Sequence, residues 1–283
     1  MTSRQQALEI LRHAGRIADE QIDLGEVALA LALLDHPVAD LSAYRRHLLA
    51  LGEELGRAVA SGPDLPSLAG KVAALEQVLA GTHGYAGDSE TYTDLQNANL
   101  IRVIDRRRGL PVALGILAMV AARANGWTVM GLNFPGHFLI RLDHGGGRQI
   151  LDPFHGMLPR EPHELRDLLK QSQGLEAELS PDHYAPVSNR EVLLRLQNNL
   201  KLRHLSSDQP GKALVVVEDM LLFAPDHIGL WRESGLLNAH LGNLSAGIAA
   251  FEHFLRLGRD RGASARLLDN TEALLRQLRS RLN

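Results

Sequence analysis

The sequence predicts a mainly helical α+β protein, with a small antiparallel sheet set between an N-terminal group of helices and a C-terminal run of helical hairpins. Three observations carry that expectation. Apolar residues recur at three- and four-residue spacing from Gln5 to about Leu79, as in Ala7, Ile10, Leu11, Ala14 and Ile17. A wholly apolar run, Val112 to Ala122, is followed by short strand-like segments divided by Gly and Pro. Towards the C-terminus a pattern of small and bulky residues repeats at an interval of 34 positions.

The N-terminal periodicity accommodates three or four helices, with stops at Asp35-His36-Pro37 and across Ser61-Gly62-Pro63-Asp64-Leu65-Pro66, because the residue before a proline is driven out of the helical region. Gly81 to Ser89 reads as a loop. The run Val112 to Ala122 is apolar on every face, which predicts a helix buried in the domain centre and ended by Asn125-Gly126. Pro111 suits the first turn of that helix, where its missing N–H would have no intrahelical partner. Trp127–Leu132, a segment carrying His137 through Leu142, and a third beginning at Gln149 and reaching Asp152 read as antiparallel strands. Gly145-Gly146-Gly147 fits a hairpin tip; it lacks the lysine and following helix of a phosphate loop. Strand-like alternation fades by Pro186, so the expected domains are residues 1–185 and 186–283.

In the second domain, Trp231, Gly235, Gly247 and Phe251 occupy the aromatic, small, small and large apolar positions of a tetratricopeptide unit. Shifting back gives Gln197, Lys201, Ala213 and Val217, closed by Pro225, so the earlier unit keeps the second small and the apolar position only. Small residues there let paired helices approach closely.

Composition narrows the function classes. The chain has 283 residues, 45% hydrophobic and 22% charged, with no cysteine, which removes thiol nucleophiles, disulfides and cysteine zinc sites. The net charge is −3, so no global positive field draws it to nucleic acid or an acidic membrane. The longest apolar stretch is shorter than a membrane span, and MTSRQQALEILRHAGR lacks a secretory signal pattern. The expected address is cytoplasmic, without nucleic-acid or membrane partners.

Chemistry concentrates between Arg106 and Gly156, in the phrases RRRGLPVALGILAMVAARANGW, GLNFPGHFLIRL and ILDPFHG. This order of buried helix, histidine segment and aspartate strand resembles the papain-like, or transglutaminase-like, core. Together with Tyr92, Asn97–Leu100 and the helical tail, it resembles the bacterial transglutaminase-like and tetratricopeptide family known as regulators of sirC expression, over about residues 20–280. The resemblance implies a nucleophilic Cys at the start of the buried helix, a His that moves a proton and an Asp that orients the imidazole. His137 and Asp152 match the latter two. The nucleophile position falls at or beside Pro111, and no Ser or Thr lies between Asp94 and Thr128 to replace it.

Several readings of the remnant stay open. His137 and Asp152 can be a hydrogen-bonded structural pair, or, with Asn133 and His155, a pocket for a peptide or small polar group. A metal-assisted hydrolase on His137, Asp152 and His155 is an alternative, as is an acyl transferase recruiting another nucleophile. The expectation is a non-catalytic protein- or peptide-binding regulator with no cofactor and no metal; the rival is a residual hydrolase or acyl transferase using His137 and Asp152. Phe134 and Phe154 are expected in the core. Arg106, Arg107 and Arg108 are expected as a solvated or salt-bridged helix end, and the remaining histidines carry no assigned site.

Overall fold

The computed structural model describes residues 3–36, 40–61 and 67–282; Pro37 and the expected turn over Gly62–Pro66 lie outside them. Twelve α-helices and seven short strands fall within the described residues, and no helix among them is long and apolar enough to cross a membrane. The chain divides into two compact units, Met1–Ile10 with Ala18–Leu196, and Leu11–Ile17 with Gln197–Asn283.

The first unit begins with most of helix α1 (Ser3–Ala14), followed by α2 (Leu24–Asp35), α3 (Leu41–Ser61) and α4 (Leu68–Leu75), matching the N-terminal helices expected from the periodicity. Asp23 and Ser67 cap α2 and α4 by accepting from the Glu26 and Gly70 N–H groups. Helix α4 runs on into a π-helical segment, Glu76–Thr82, and strand β1 (Ala86–Gly87) follows, where the sequence suggested only a loop. Helix α5 (Leu100–Arg106) leads to β2 (Arg108–Gly109), which pairs in parallel with β1.

The central helix α6 (Pro111–Ala124) is buried from Pro111 through Met119 and again at Ala121 and Ala122. Its partner α3 comes close through glycine: a Cβ on Gly52 would stand 2.9 Å from that of Ala124. Asn125 fastens the crossing by donating to the Gly52 and Ala121 carbonyls.

Strands β3 (Thr128–Leu132), β4 (Ile140–His144), β5 (Gly147–Asp152), β6 (Leu158–Arg160) and β7 (Pro186–Val187) form an antiparallel sheet in the order β6-β5-β4-β3-β7. Gly145 and Gly146 make the two-residue β4–β5 turn, both with positive φ (58° and 80°), as the primed hairpin geometry requires. The edge strands β6 and β7 escaped the sequence reading because each contains proline, a residue tolerated in a sheet where its missing N–H faces no partner. Between β6 and β7 lies helix α7 (Pro162–Gln173), whose Leu165 and Leu169 pack with Leu132, Phe134 and Leu139.

Helix α8 (Asn189–Ser206) begins in the first unit. The second unit holds its later turns with α9 (Pro210–Phe223), α10 (Ile228–His240), α11 (Leu244–Asp260) and α12 (Ala265–Leu282). A Cβ on Gly235 would lie 2.3 Å from the Phe251 ring, and one on Gly247 would lie 3.3 Å from the Gly235 carbonyl oxygen, so α10 and α11 meet through their glycines. Trp231 Nε1 donates to the Pro225 carbonyl at 2.7 Å. Ala213 and Val217 are likewise fully buried on α9, while Lys201, standing where the second repeat has Gly235, pairs with Glu233. Leu275 and Leu278 of α12 close the cluster around Phe251, Phe254 and Leu255.

Candidate functional site

The start of α6 is fixed by a polar network running through the loop before it. Leu110 N–H donates to the Asn97 carbonyl at 2.9 Å, and Arg106 spans from Asn97 Oδ1 (3.0 Å) to Asp88 (2.9 Å). Asp88 also accepts from the Thr91 hydroxyl and N–H, and chiefly these bonds hold its carboxyl well below the usual carboxylate range. The arginine cluster therefore splits: Arg106 is salt-bridged, and Arg108 is exposed. Arg107, in a left-handed conformation (φ 58°), reaches His47 and the Tyr85 hydroxyl.

Pro111 takes the first position of the helix and is itself buried, with no side-chain cap at Leu110. One turn on, a Cβ at Gly115 would stand 2.5 Å from the Phe138 ring, so the helix packs on the residue next to His137. His137 does not lie on a strand as expected; it occupies the bend between β3 and β4, beyond Gly136 (φ 73°). Arg195 of α8 holds that bend. Its guanidinium donates to the carbonyls of Leu132 (2.9 Å), Phe134 (2.6 Å) and His137 (3.4 Å) and lies over the Phe138 ring.

Asp152 ends β5 and is fully buried. Its Oδ1 accepts from His137 Nε2 at 2.9 Å and from the Phe154 N–H at 3.0 Å. Its Oδ2 lies 2.8 Å from His155 Nδ1 and accepts from Arg160 Nη2 (2.8 Å) and Nε (3.1 Å). Burial alone would raise this carboxyl, but the bonds and charge of His137, Arg160 and His155 outweigh it and hold the group well below its ordinary range. With Nε2 given to Asp152, Nδ1 is the nitrogen of His137 left for proton transfer. Phe154 lies edge-on to both imidazoles, at 6.3 Å from His137 and 5.3 Å from His155, and is half-buried. Gly87 must be glycine for this, since a Cβ there would sit 2.4 Å from the Phe154 ring. Phe134 belongs to the core as expected.

The structure thus brings His137, Asp152 and His155 together. Asn133 is exposed, its N–H bonded to the Ala185 carbonyl, and among the described residues no hydrogen bond joins its side chain to the cluster. Arg160 and Arg195 were not foreseen. A signal existed for Arg160, the first cation after the Gly156 turn that folds β6 back along β5; nothing marked Arg195, which is 58 residues from His137.

The ligand atoms of His137, Asp152 and His155 lie within 4.8 Å of one another, the span of a metal-binding trio. The donor set does not fit a cation, however, because Arg160 Nη2 already stands 2.8 Å from Asp152 Oδ2 and 3.1 Å from His155 Nδ1. A guanidinium already engages two of the three ligand groups, and a second positive charge there would be repelled.

Residues 42–198 match the model of the transglutaminase-like superfamily, and residues 200–282 that of a tetratricopeptide repeat. A UPF0162 protein of Xylella fastidiosa strain Temecula1 is 30% identical over 259 residues, spanning 89% of this chain and 90% of that protein. Protein SirB1 of Salmonella typhimurium is 30% identical over 171 residues, 59% of this chain and 63% of its own. The solved structure of menin covers 91% of this chain and 71% of its own at 12% identity and a TM-score of 0.40, too distant to carry an argument. A domain match across more than half of its residues and a relative similar along nearly its whole length mean that this chain belongs to the transglutaminase-like superfamily, with the UPF0162 proteins and SirB1 among its homologues.

Proposed function

We propose that the protein is a non-catalytic member of its superfamily that acts as a regulatory or accessory factor by binding a protein or peptide. The observation that carries this reading is Pro111: the helix start that would present a nucleophile holds a buried proline, in a chain without cysteine. The rest of the apparatus is a dyad whose carboxylate is saturated by four neighbouring groups, an arrangement that fixes geometry. Tetratricopeptide helices, which in general present stacked surfaces to other proteins, support a binding role.

The second reading, a hydrolase in which His137 activates water, is favoured by the intact His137–Asp152 bond and the 17% exposure of the histidine side chain. One comparison separates them. Purified protein and His137→Ala are assayed on an activated ester and on peptide amides across neutral pH. The proposed function expects the same background rate from both; a rate that only the wild type shows, with both variants folded by circular dichroism, overturns it.

A further inference from the structure

Beside the dyad a cavity of about 340 Å³ is lined by His155, Arg160, Glu164, Asp167, Leu168 and Gln171. Its volume lies at the small end of ligand sites, enough for one long side chain. One wall is the pair that grips Asp152, so the cavity adjoins the site already described. The other is a single face of α7, whose residues at 164, 167, 168 and 171 follow the helical stripe of three- and four-residue steps.

The charges here do not balance. Glu164 and Asp167 bring two carboxylates to the lining, and its only guanidinium, Arg160, is already shared between Glu164 at 3.2 Å and the buried Asp152 at 2.8 Å. The other Glu164 oxygen accepts from the Glu161 N–H, and Asp167 is exposed and forms no ion pair among the described residues. The next cations along α7, Arg166 and Lys170, are turned to Glu178, at 3.5 and 3.6 Å. Leu168 is the apolar residue of the lining, and Gln171 contributes an amide.

We propose that this cavity takes a lysine or arginine side chain of a bound peptide, its stem along Leu168 and its cationic head on Asp167 and the outer edge of Glu164. The inference rests on the peptide-binding reading above and specifies the ligand class at that site. A neutral apolar side chain would leave Asp167 unmatched, and an acidic one would meet like charge.

The test titrates the full chain, isotopically labelled, with acetylated and amidated pentapeptides of glycine whose central residue is lysine, arginine, norleucine or glutamate. The lysine and arginine peptides are expected to shift backbone resonances of residues 164–171 with affinity at least about fivefold above the norleucine peptide, and to lose it in Asp167→Asn and on raising salt from about 50 to about 500 mM. Equal binding of norleucine or glutamate, or an unchanged affinity in Asp167→Asn, overturns the proposal. Peptides that bind with shifts elsewhere and none on α7 overturn the pocket and leave the binding function standing; no binding by any peptide at any residue counts against both.

Discussion

At the scale of single residues, the site turns on how Asp152 is satisfied. A buried carboxylate is stable only when paired and hydrogen-bonded, and this one accepts from the His137 imidazole, the Arg160 guanidinium and a backbone N–H while facing a third side chain, His155. Removing it takes the shared acceptor from Arg160 and both imidazoles, leaving Arg160 only its ion pair with Glu164. Asp152→Ala is therefore expected to lose about 3–5 kcal/mol of stability, read from urea unfolding, whereas Asn133→Ala, on an exposed side chain, is expected to stay within about 0.5 kcal/mol. Arg160 gives a different prediction. If its guanidinium holds the place of a cation, Arg160→Ala leaves two histidines and an aspartate with nothing between them, and zinc should raise the melting temperature of that variant. The wild type, titrated identically, should not respond; equal stabilisation of both would show that the arginine does not exclude the ion.

At the scale of elements, the close approach of α10 and α11 through Gly235 offers the sharpest stability test. Gly235→Ala drives a methyl group into the Phe251 ring and is expected to cost about 1–3 kcal/mol, because the ring is fully buried and has no room to yield. Gly211→Ala is the control: nothing lies within 4 Å of its added Cβ, in helix α9, so it should be neutral or gain up to about 1 kcal/mol. Denaturation midpoints of the two variants decide the matter. The spacing of Gly235, Gly247, Trp231 and Phe251 made this hairpin legible in the sequence, since close packing demands small residues at fixed intervals. The apolar helix behind Pro111 was legible because no polar face interrupts it, and His137 and Asp152 because a family phrase surrounds each. What stayed hidden depends on long-range meetings: the proline-bearing edge strands carry no alternation, and Arg195 acts on a bend that only folding brings to it. His137 was misplaced onto a strand because its apolar followers, Phe138 to Ile140, read as one continuous segment when the pairing of β4 with β3 starts only at Ile140.

At the scale of the whole molecule, these buried polar groups set how the fold responds to acid. His47 accepts from Arg107 at 2.9 Å and lies 2.7 Å from the Tyr85 hydroxyl, while His83, edge-on to it, pairs with Glu54. Burial first, then the Arg107 charge and His83, push His47 down to about 4. A histidine held neutral in the folded state and ordinary in the unfolded one makes unfolding take up a proton as pH falls. Its contribution is complete above about pH 6.5 and is lost progressively towards 4. His253, lowered by burial and by Arg256, adds a contribution of the same sign. Asp88 and Asp152, both depressed, act in a separate window: their contributions stand above the ordinary carboxylate range and fall away only as pH drops below about 4. Urea unfolding free energies are thus expected to decline in two stages, a first between about pH 6.5 and 4 and a steeper one below. His47→Asn should flatten the first stage and leave the second, because it removes the titrating group and not the carboxylates. An unchanged slope between pH 6.5 and 4 in that variant would place the acid sensitivity elsewhere, and a wild type whose stability is constant across this range would show that the His47, Tyr85 and Arg107 cluster accepts a proton without loosening.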